Sequence, residues 1–405
     1  MSDNQHETSL AIQAEVQLHN LLAFASQSGL AFACWRLPNN STTHAIIDTG
    51  GQLHKGKQSL ESSAPGFLVS PFVNNERSEE VFLHADIHII TQGKDSSINI
   101  TLDPNRSVKA NEFLNDVSIN NDRQQFKLDT SPKDVSPSDG HNSFLNFVAE
   151  CVDAIHQGRF KKVVPSRFKD LKLDDSINPL VQFTKICDHY PASFASFISL
   201  PESGTWLGAS PEVLVKMTGD IFSTMALAGT QRITPDQDLR DVAWTQKEIE
   251  EQAMVSRYII NCFKKIRLRE FEENGPRTIK AANLIHLLTE YEVDMAAVNF
   301  PQLGSVMVEL LHPTSAVCGM PLEPAMEFLL SHEKHDRELY SGYLGPVNIE
   351  NSTQLFVNLR CMRVYDHLVR AFVGAGVTEG SLPEKEWLET EYKSQTMLDL
   401  VRVNP

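Results

Sequence analysis

Short apolar, strand-like runs recur along this chain without alternating strictly with helical blocks, and that pattern limits the fold more than any other feature. The runs include FACWRL, HAIIDT, KKVVPSR, FASFISL, TWLGAS, VLVKMTG, IFSTMAL, LFVNLRCMRVYD and HLVRAFVGAG. Between them, helices are predicted near 241–269, 302–311, 323–331 and 386–401. The clearest helix carries Phe144, Phe147, Val148, Cys151, Ala154 and Ile155 at i, i+3, i+4, i+7 spacing, with Ser143 as a plausible N-cap and Gly158 as its stop. Strict βαβ alternation would favour a parallel sheet. This pattern predicts α+β, with mixed or antiparallel sheets packed together and helices outside. GAGVTEG lacks the G-x-G-x-x-G spacing of a dinucleotide fold, and there is no P-loop.

A chain of 405 residues suits two subdomains or one large α/β unit. The segment before Gln92 mixes strands with an imperfect helical stripe of Leu10, Ile12, Val16, Leu18, Leu21 and Leu22. From Gly93 to Asn142 the chain is rich in Asp, Asn, Ser and Lys, so the boundary is drawn there: 1–142 as an N-terminal α+β region contributing to the same sheet core, and 143–405 as the second region. The formal charge of -16 argues against a nucleic-acid partner, although a local pocket can still take a small anion. Six scattered cysteines without a C-x-x-C pair read as buried apolar residues in a reducing compartment. With no apolar leader in MSDNQHETSL and no membrane-length apolar run, the expected location is cytoplasmic and off the membrane.

Several residues could carry chemistry. In EKEWLETEYKSQTML, Glu386, Glu389 and Lys393 share one helix face. The ordinary reading is a solvated ion pair. Yet Trp387, Met397 and Leu398 also need burial, so the acidic face need not be the outer one, and two carboxylates on adjacent turns suit a hard cation such as Mg²⁺. TQKEIEEQAMVSRYII forms a second acidic helix with Glu248, Glu250 and Glu251, any one of which is ordinarily surface decoration. In a strand, Lys161 and Lys162 point to opposite faces, so only one can enter a pocket; desolvation of a lysine favours its neutral, basic form. Glu212 follows Ser-Pro in apolar surroundings, where a carboxyl tends to stay protonated, as a general acid must. His286 in LIHLLTE is more often a satisfied core residue than a catalyst. LLHPTSAVCGMP suits close backbone approach to a ligand, GAGVTEG offers amides for a carboxylate, and Arg360, in an apolar strand, would clamp an anion. TMALAGTQR reads as a buried strand ending in a Gly229-Thr230 corner before Arg232, and Ala228 carries no chemistry.

Taken together, these segments resemble the chorismate-utilising enzymes, the family that contains isochorismate, anthranilate, aminodeoxychorismate and salicylate synthases. GRFKKVVPSR, LGASPE, ALAGT, LIHLLTE, LLHPTSAVCG, HDRELYSGYLG, LRCMRV, GAGV and EWLETEYKSQTML stand in the family's order across roughly Phe144 to Leu400. The resemblance implies the anthranilate synthase component I-like fold and chorismate as substrate. It implies a Mg²⁺ held by Glu251, Glu386 and Glu389 against the ring carboxylate. Lys393, Gly374, Ala375 and Gly376 would help hold that carboxylate, and Arg360 and Tyr340 the pyruvyl side. Lys162 matches the family's general base, Glu212 its general acid, and His286 a histidine of the ring pocket, with Ala228, Gly229, Thr230 and Ala316 also against the substrate.

The resemblance also separates members. Aminodeoxychorismate synthases carry a nucleophilic lysine at the position of Ala228, and anthranilate synthases a Thr-Val-Ser-Gly segment where this chain has Ala316 to Gly319. Alanine at both positions implies isochorismate synthase, with water as nucleophile and no obligate glutaminase partner; salicylate or anthranilate synthase is the alternative. Either menaquinone or siderophore synthesis could take the product. Pro165 and Gln252 depart from the family's usual leucine and histidine.

Overall fold

The computed structural model describes residues 17–74, 79–92, 98–119, 124–132, 140–232, 238–281 and 284–402, without the side chains of residues 230, 232, 281 and 284. Leu10, Ile12 and Val16 of the N-terminal stripe lie outside the described residues; Leu18, Leu21 and Leu22 are buried on a helix over 17–27.

Most strands are covered on both faces, which is why they read as unbroken apolar runs. In Ala31–Arg36, Phe32 and Cys34 pack with helices, while Ala31, Ala33 and Trp35 face a second sheet. The first sheet runs Ile98–Leu102, Ile87–Gln92, Thr42–Asp48, Ala31–Arg36, Phe194–Leu200, Gly204–Ser210, Cys361–Val364, Leu368–Gly374 and Ser166–Lys172. The second runs Glu272–Ala281, Leu284–Asp294, Ile221–Arg232, Val213–Thr218, Ser352–Val357, Tyr343–Val347, Gly66–Ser70, Val81–His84 and His54–Lys55. Neighbouring strands are antiparallel, as in the pairs of Ile221–Arg232 with Leu284–Asp294 and of Leu368–Gly374 with Ser166–Lys172. Strands from both ends of the chain enter both sheets. Trp35, Trp206, Phe194, Phe356 and Phe372 fill the space between them, with Phe194 and Phe356 stacked at 4.0 Å across the interface.

Helices close the two outer faces. The 17–27 helix, Ser107–Ile119, Pro179–His189 and Pro383–Arg402 cover the first sheet; His141–His156, Gln246–Lys265, Leu303–Leu311 and Leu322–His332 cover the second. The result is the expected α+β architecture, in four layers. All six cysteines are free and buried. Among the described residues no helix is long and apolar enough to cross a membrane.

Several local expectations need correction. Helix His141–His156 begins after Gly140, so Ser143 lies inside its first turn and is not the cap. The polar segment after Gly93 holds the strand Ile98–Leu102 and the helix Ser107–Ile119, and Asp129 pairs with Arg363 on the first sheet. Helix Pro179–His189 had a readable start: Asn178 accepts from the amides of Leu180 and Val181 with Pro179 at the first position. The polar strand Glu272–Ala281 shows no apolar alternation because its side chains are largely exposed at the sheet edge.

Two long runs break where they matter for the site. LFVNLRCMRVYD is not one strand: Ser352–Val357 lies in the second sheet and Cys361–Val364 in the first, and Arg360 sits at φ +48 in the crossing. KKVVPSR also divides, because Pro165 has no amide to donate. Lys162–Val163 pairs with Gly319–Met320, and Ser166–Lys172 forms the edge of the first sheet. Nor does TMALAGTQR end at its glycine. Gly229, at φ +66, makes a bulge and the strand continues to Arg232.

Candidate active site

Two neighbouring crossings between the sheets build the floor of a cavity of about 190 Å³. Pro211 and Glu212 connect Gly204–Ser210 to Val213–Thr218, and Arg360 lies on the other crossing. They are laced together by the amide of Val357 donating to the Glu212 carbonyl (3.0 Å) and that of Ala209 donating to the Arg360 carbonyl (3.0 Å). Chain crossings present side chains that no sheet partner covers, so an acid and a guanidinium meet here from positions far apart in sequence.

Glu212 is buried. Desolvation pushes its carboxyl up to about 7, with Lys162 and a hydrogen bond from Thr314 Oγ1 (3.4 Å) pulling the other way. Arg360 is half-buried, and among the described residues it has no ion-pair partner; its Nη1 is buried without a hydrogen-bond partner. Burial lowers its pKa, with Tyr340 and Glu389 opposing. A guanidinium with a buried, unpaired nitrogen and no counter-ion is costly, and an anion entering the cavity would relieve that cost. Tyr340 lines the cavity beside it, its phenol pushed up to about 12 by burial.

The strand Ile221–Arg232 and its partner supply another wall. Ala228 and Gly229 line the cavity, and His286 Nδ1 lies 2.9 Å from the Gly229 carbonyl. A carbonyl only accepts, so Nδ1 carries the proton and Nε2 presents a lone pair. Burial, with Arg360 and Lys393 adding to it, holds this imidazole neutral, down to about 3. Ala316 lines the cavity too. The side chain of Thr230 lies outside the described residues.

Helices Gln246–Lys265 and Pro383–Arg402 bring three glutamates to the remaining side, each holding a lysine. Lys162 donates to Glu251 at 2.7 Å, Lys247 to Glu386 at 2.9 Å, and Lys393 is 2.6 Å from Glu389. Of the lysine pair read from the sequence, Lys162 is the buried one (1% exposed) and Lys161 is exposed. Lys162 does not line the cavity; it ends on Glu251, which does. Burial would raise the Glu251 carboxyl, but Lys162 first, then Lys393 and Lys247, hold it below its usual value.

The cation ligands expected from the sequence therefore converge only in part. Glu251 and Glu389 line the cavity, whereas Glu386 is buried beneath Lys247, and among the described residues no three His, Cys, Asp or Glu side chains are gathered closely enough to hold a metal ion. Each of the three carboxylates is instead paired with a lysine. The donors nonetheless fit a hard cation: all are carboxylate oxygens, and Glu386 Oε2 is buried without a hydrogen-bond partner.

The glycine segment needs a firmer correction. Ala375 does not line the cavity; its amide donates to the Pro165 carbonyl (3.2 Å), and the Val377 amide donates to Val163 (2.8 Å). Neither amide is free for a carboxylate. Gly374 and Gly376 do line the cavity, for a steric reason. A Cβ at Gly374 would lie 2.9 Å from the Tyr340 hydroxyl, and one at Gly376 3.1 Å from Glu251 Oε1. Lys393 Nζ is already engaged with the Gly374 carbonyl at 2.9 Å.

Sequence reading missed Lys247, which lines the cavity from the first turn of its helix. Only its place beside Glu248 and Glu251 could have marked it. Glu248 also lines the cavity, but its carboxylate is spent at the helix start, accepting from the Thr245 amide and hydroxyl and from Gln231. Gln252, where the family often has histidine, ties its helix to the wall by donating to the Ala226 carbonyl and to Thr289 Oγ1.

Residues 54–402 match the family described as "Chorismate binding enzyme". The isochorismate synthase EntC of Escherichia coli K12 is 31% identical over 263 residues, which are 64% of this chain and 66% of that protein, just under two thirds of its length. Among solved structures, MenF, the menaquinone-specific isochorismate synthase of Escherichia coli, superposes with a TM-score of 0.74 at 20% identity, covering 94% of this chain and 91% of its own. Anthranilate synthase component I of Streptococcus pneumoniae gives 0.67 at 18%, covering 90% and 89%. At those identities the structures speak for the fold.

Proposed function

This chain belongs to the chorismate-binding enzymes, and from that premise we propose that it is an isochorismate synthase, adding water at C2 of chorismate as the C4 hydroxyl departs. The observation that carries the reading is the pairing of a proton-holding carboxyl, Glu212, with a cavity wall that has alanine, and no nucleophile, at positions 228 and 316. The similarity to the isochorismate synthase EntC supports the same reading.

In this reading Arg360 takes a substrate carboxylate, giving its buried Nη1 a partner, and Tyr340 stands beside it. Lys162 Nζ accepts a proton from water as the new C2–O bond forms. The ring double bonds shift, the C4–O bond breaks, and Glu212 delivers its proton to the departing hydroxyl, which leaves as water. One water enters and one leaves, as an isomerisation requires. Lys162 can act only after its contact with Glu251 opens. Glu251, Glu386 and Glu389 would hold a Mg²⁺, which would supply Lewis-acid charge beside the substrate. The reading includes a cytoplasmic enzyme with no nucleic-acid partner and no obligate glutaminase.

Chromatographic identification of the product from chorismate, with and without Mg²⁺ and with ammonium present, tests it. Isochorismate alone is expected, in the Mg²⁺ arm. Salicylate with pyruvate, or anthranilate, would replace the proposal with a lyase-competent synthase.

Ala228→Lys probes the placement of water. Ala228 is buried opposite Leu287, so a long cationic side chain there must enter the cavity. Isochorismate formation should fall on the order of 10²-fold, the cost of displacing a positioned reactant by about an ångström. An unchanged rate would remove this strand from the reaction site.

A further inference from the structure

The three lysine–glutamate pairs differ in what each lysine can do next. Lys162 is 1% exposed and has no solvent to retreat into. Lys393 belongs to the same helix as Glu389 and is also held by the Gly374 carbonyl. Lys247 is 45% exposed, sits at the cavity rim, and reaches from one helix to the other to meet a carboxylate that is 1% exposed. A compact ammonium on a flexible four-carbon stem can leave such a position without unfolding anything.

Glu386 depends on that contact. Its Oε1 accepts from Lys247, and its Oε2 is buried with no partner. A buried carboxylate with one oxygen unsatisfied calls for more positive charge than one lysine supplies. Lys247 also lines the same cavity as Glu389 and Glu251. The ammonium therefore sits on Glu386 beside the cavity that Glu251 and Glu389 line.

We propose that Lys247 is an exchangeable internal counter-ion: it holds Glu386 in place while no divalent cation is bound, and swings out to solvent when a cation arrives. Lys247 thereby sets how tightly the site takes its cation. The inference rests on the cation role given above to Glu251, Glu386 and Glu389. No bond is made or broken; one ammonium is exchanged for one hydrated divalent ion on the same oxygens.

Calorimetric titration of MgCl₂ into the full chain without chorismate tests this on wild type, Lys247→Met and Lys247→Arg. Methionine keeps the stem and removes the charge, so Lys247→Met should bind Mg²⁺ at least about tenfold more tightly than wild type, a difference of about 1.4 kcal/mol. Lys247→Arg keeps the charge and should stay close to wild type, which a general loosening of the helix would not produce. Equal or weaker binding by Lys247→Met, with binding present in wild type, overturns the counter-ion role and leaves the cation site standing. Absence of binding in all three proteins overturns the cation site itself, and this inference with it. The identity of the reaction product does not enter the titration.

Discussion

Lys162→Met should lower the kcat/KM for isochorismate formation by about 10²- to 10⁴-fold, the usual worth of a positioned general base. The size of the effect follows from its setting. Lys162 is fixed by a two-residue strand against Gly319–Met320, is buried, and stands within electrostatic reach of Glu212. A water outside the protein cannot reproduce that position. Methionine fills nearly the same volume, so the strand pairing should survive. The orphaned Glu251 is 25% exposed and keeps Lys393 and Lys247 in its surroundings, so it need not unfold the site. The measurement is kcat/KM by product chromatography, with chorismate binding measured separately by calorimetry. A purely structural lysine would weaken binding and rate together; a base would spare binding. A loss of less than about threefold in kcat/KM would end the assignment.

Glu212→Gln should lower activity to a comparable extent while raising stability at alkaline pH, and the opposite signs identify a functional acid. Burial is the first cause of the shift from 4.5 to about 7, so the folded protein holds this proton more tightly than the unfolded chain. A raised carboxyl pKa makes stability highest where both states are protonated, below about 4.5. Stability then declines as pH rises toward 7 and levels off beyond it. Glutamine resembles the protonated form and escapes the decline. Denaturant melts at pH 5 and 8 should show the variant gaining on the order of 3 kcal/mol relative to wild type across that span, from one pKa unit being worth about 1.36 kcal/mol. Wild-type kcat/KM should fall about tenfold per pH unit above 7 as the acid form is lost, and the variant should lack that limb. An alkaline limb retained by Glu212→Gln would assign the titration to another group.

Much of the architecture was legible because burial imposes pattern. Strands covered on both faces must be apolar throughout, as FASFISL is, and His141–His156 shows its buried stripe at helical spacing. The edge strand Glu272–Ala281 was illegible for the converse reason: an exposed edge asks little of its side chains. The break in LFVNLRCMRVYD was equally hidden, since crossing from one buried sheet to another changes no residue's hydrophobicity.

The site divides along the same line. Local spacing and motif order together led to Glu212, Glu251, Glu386, Glu389, His286, Arg360, Tyr340 and Lys393. The amides of GAGVTEG looked available in the sequence but are consumed at Ala375 and Val377 by the strand beside them. Lys247 looked like one more surface charge on an acidic helix until the fold laid Glu386 under it.

The sequence by itself determined the chemical groups, the layers they belong to, and the blank positions at Ala228 and Ala316. Tertiary structure decided which charges meet, that Lys162 ends on Glu251, and that the Arg360 guanidinium has no counter-ion among the described residues. Hydrophobic pattern is a local, periodic property that each segment displays alone. Charge compensation is a pairwise property at close range, and it exists only once segments as distant as 247 and 386 are brought within 3 Å.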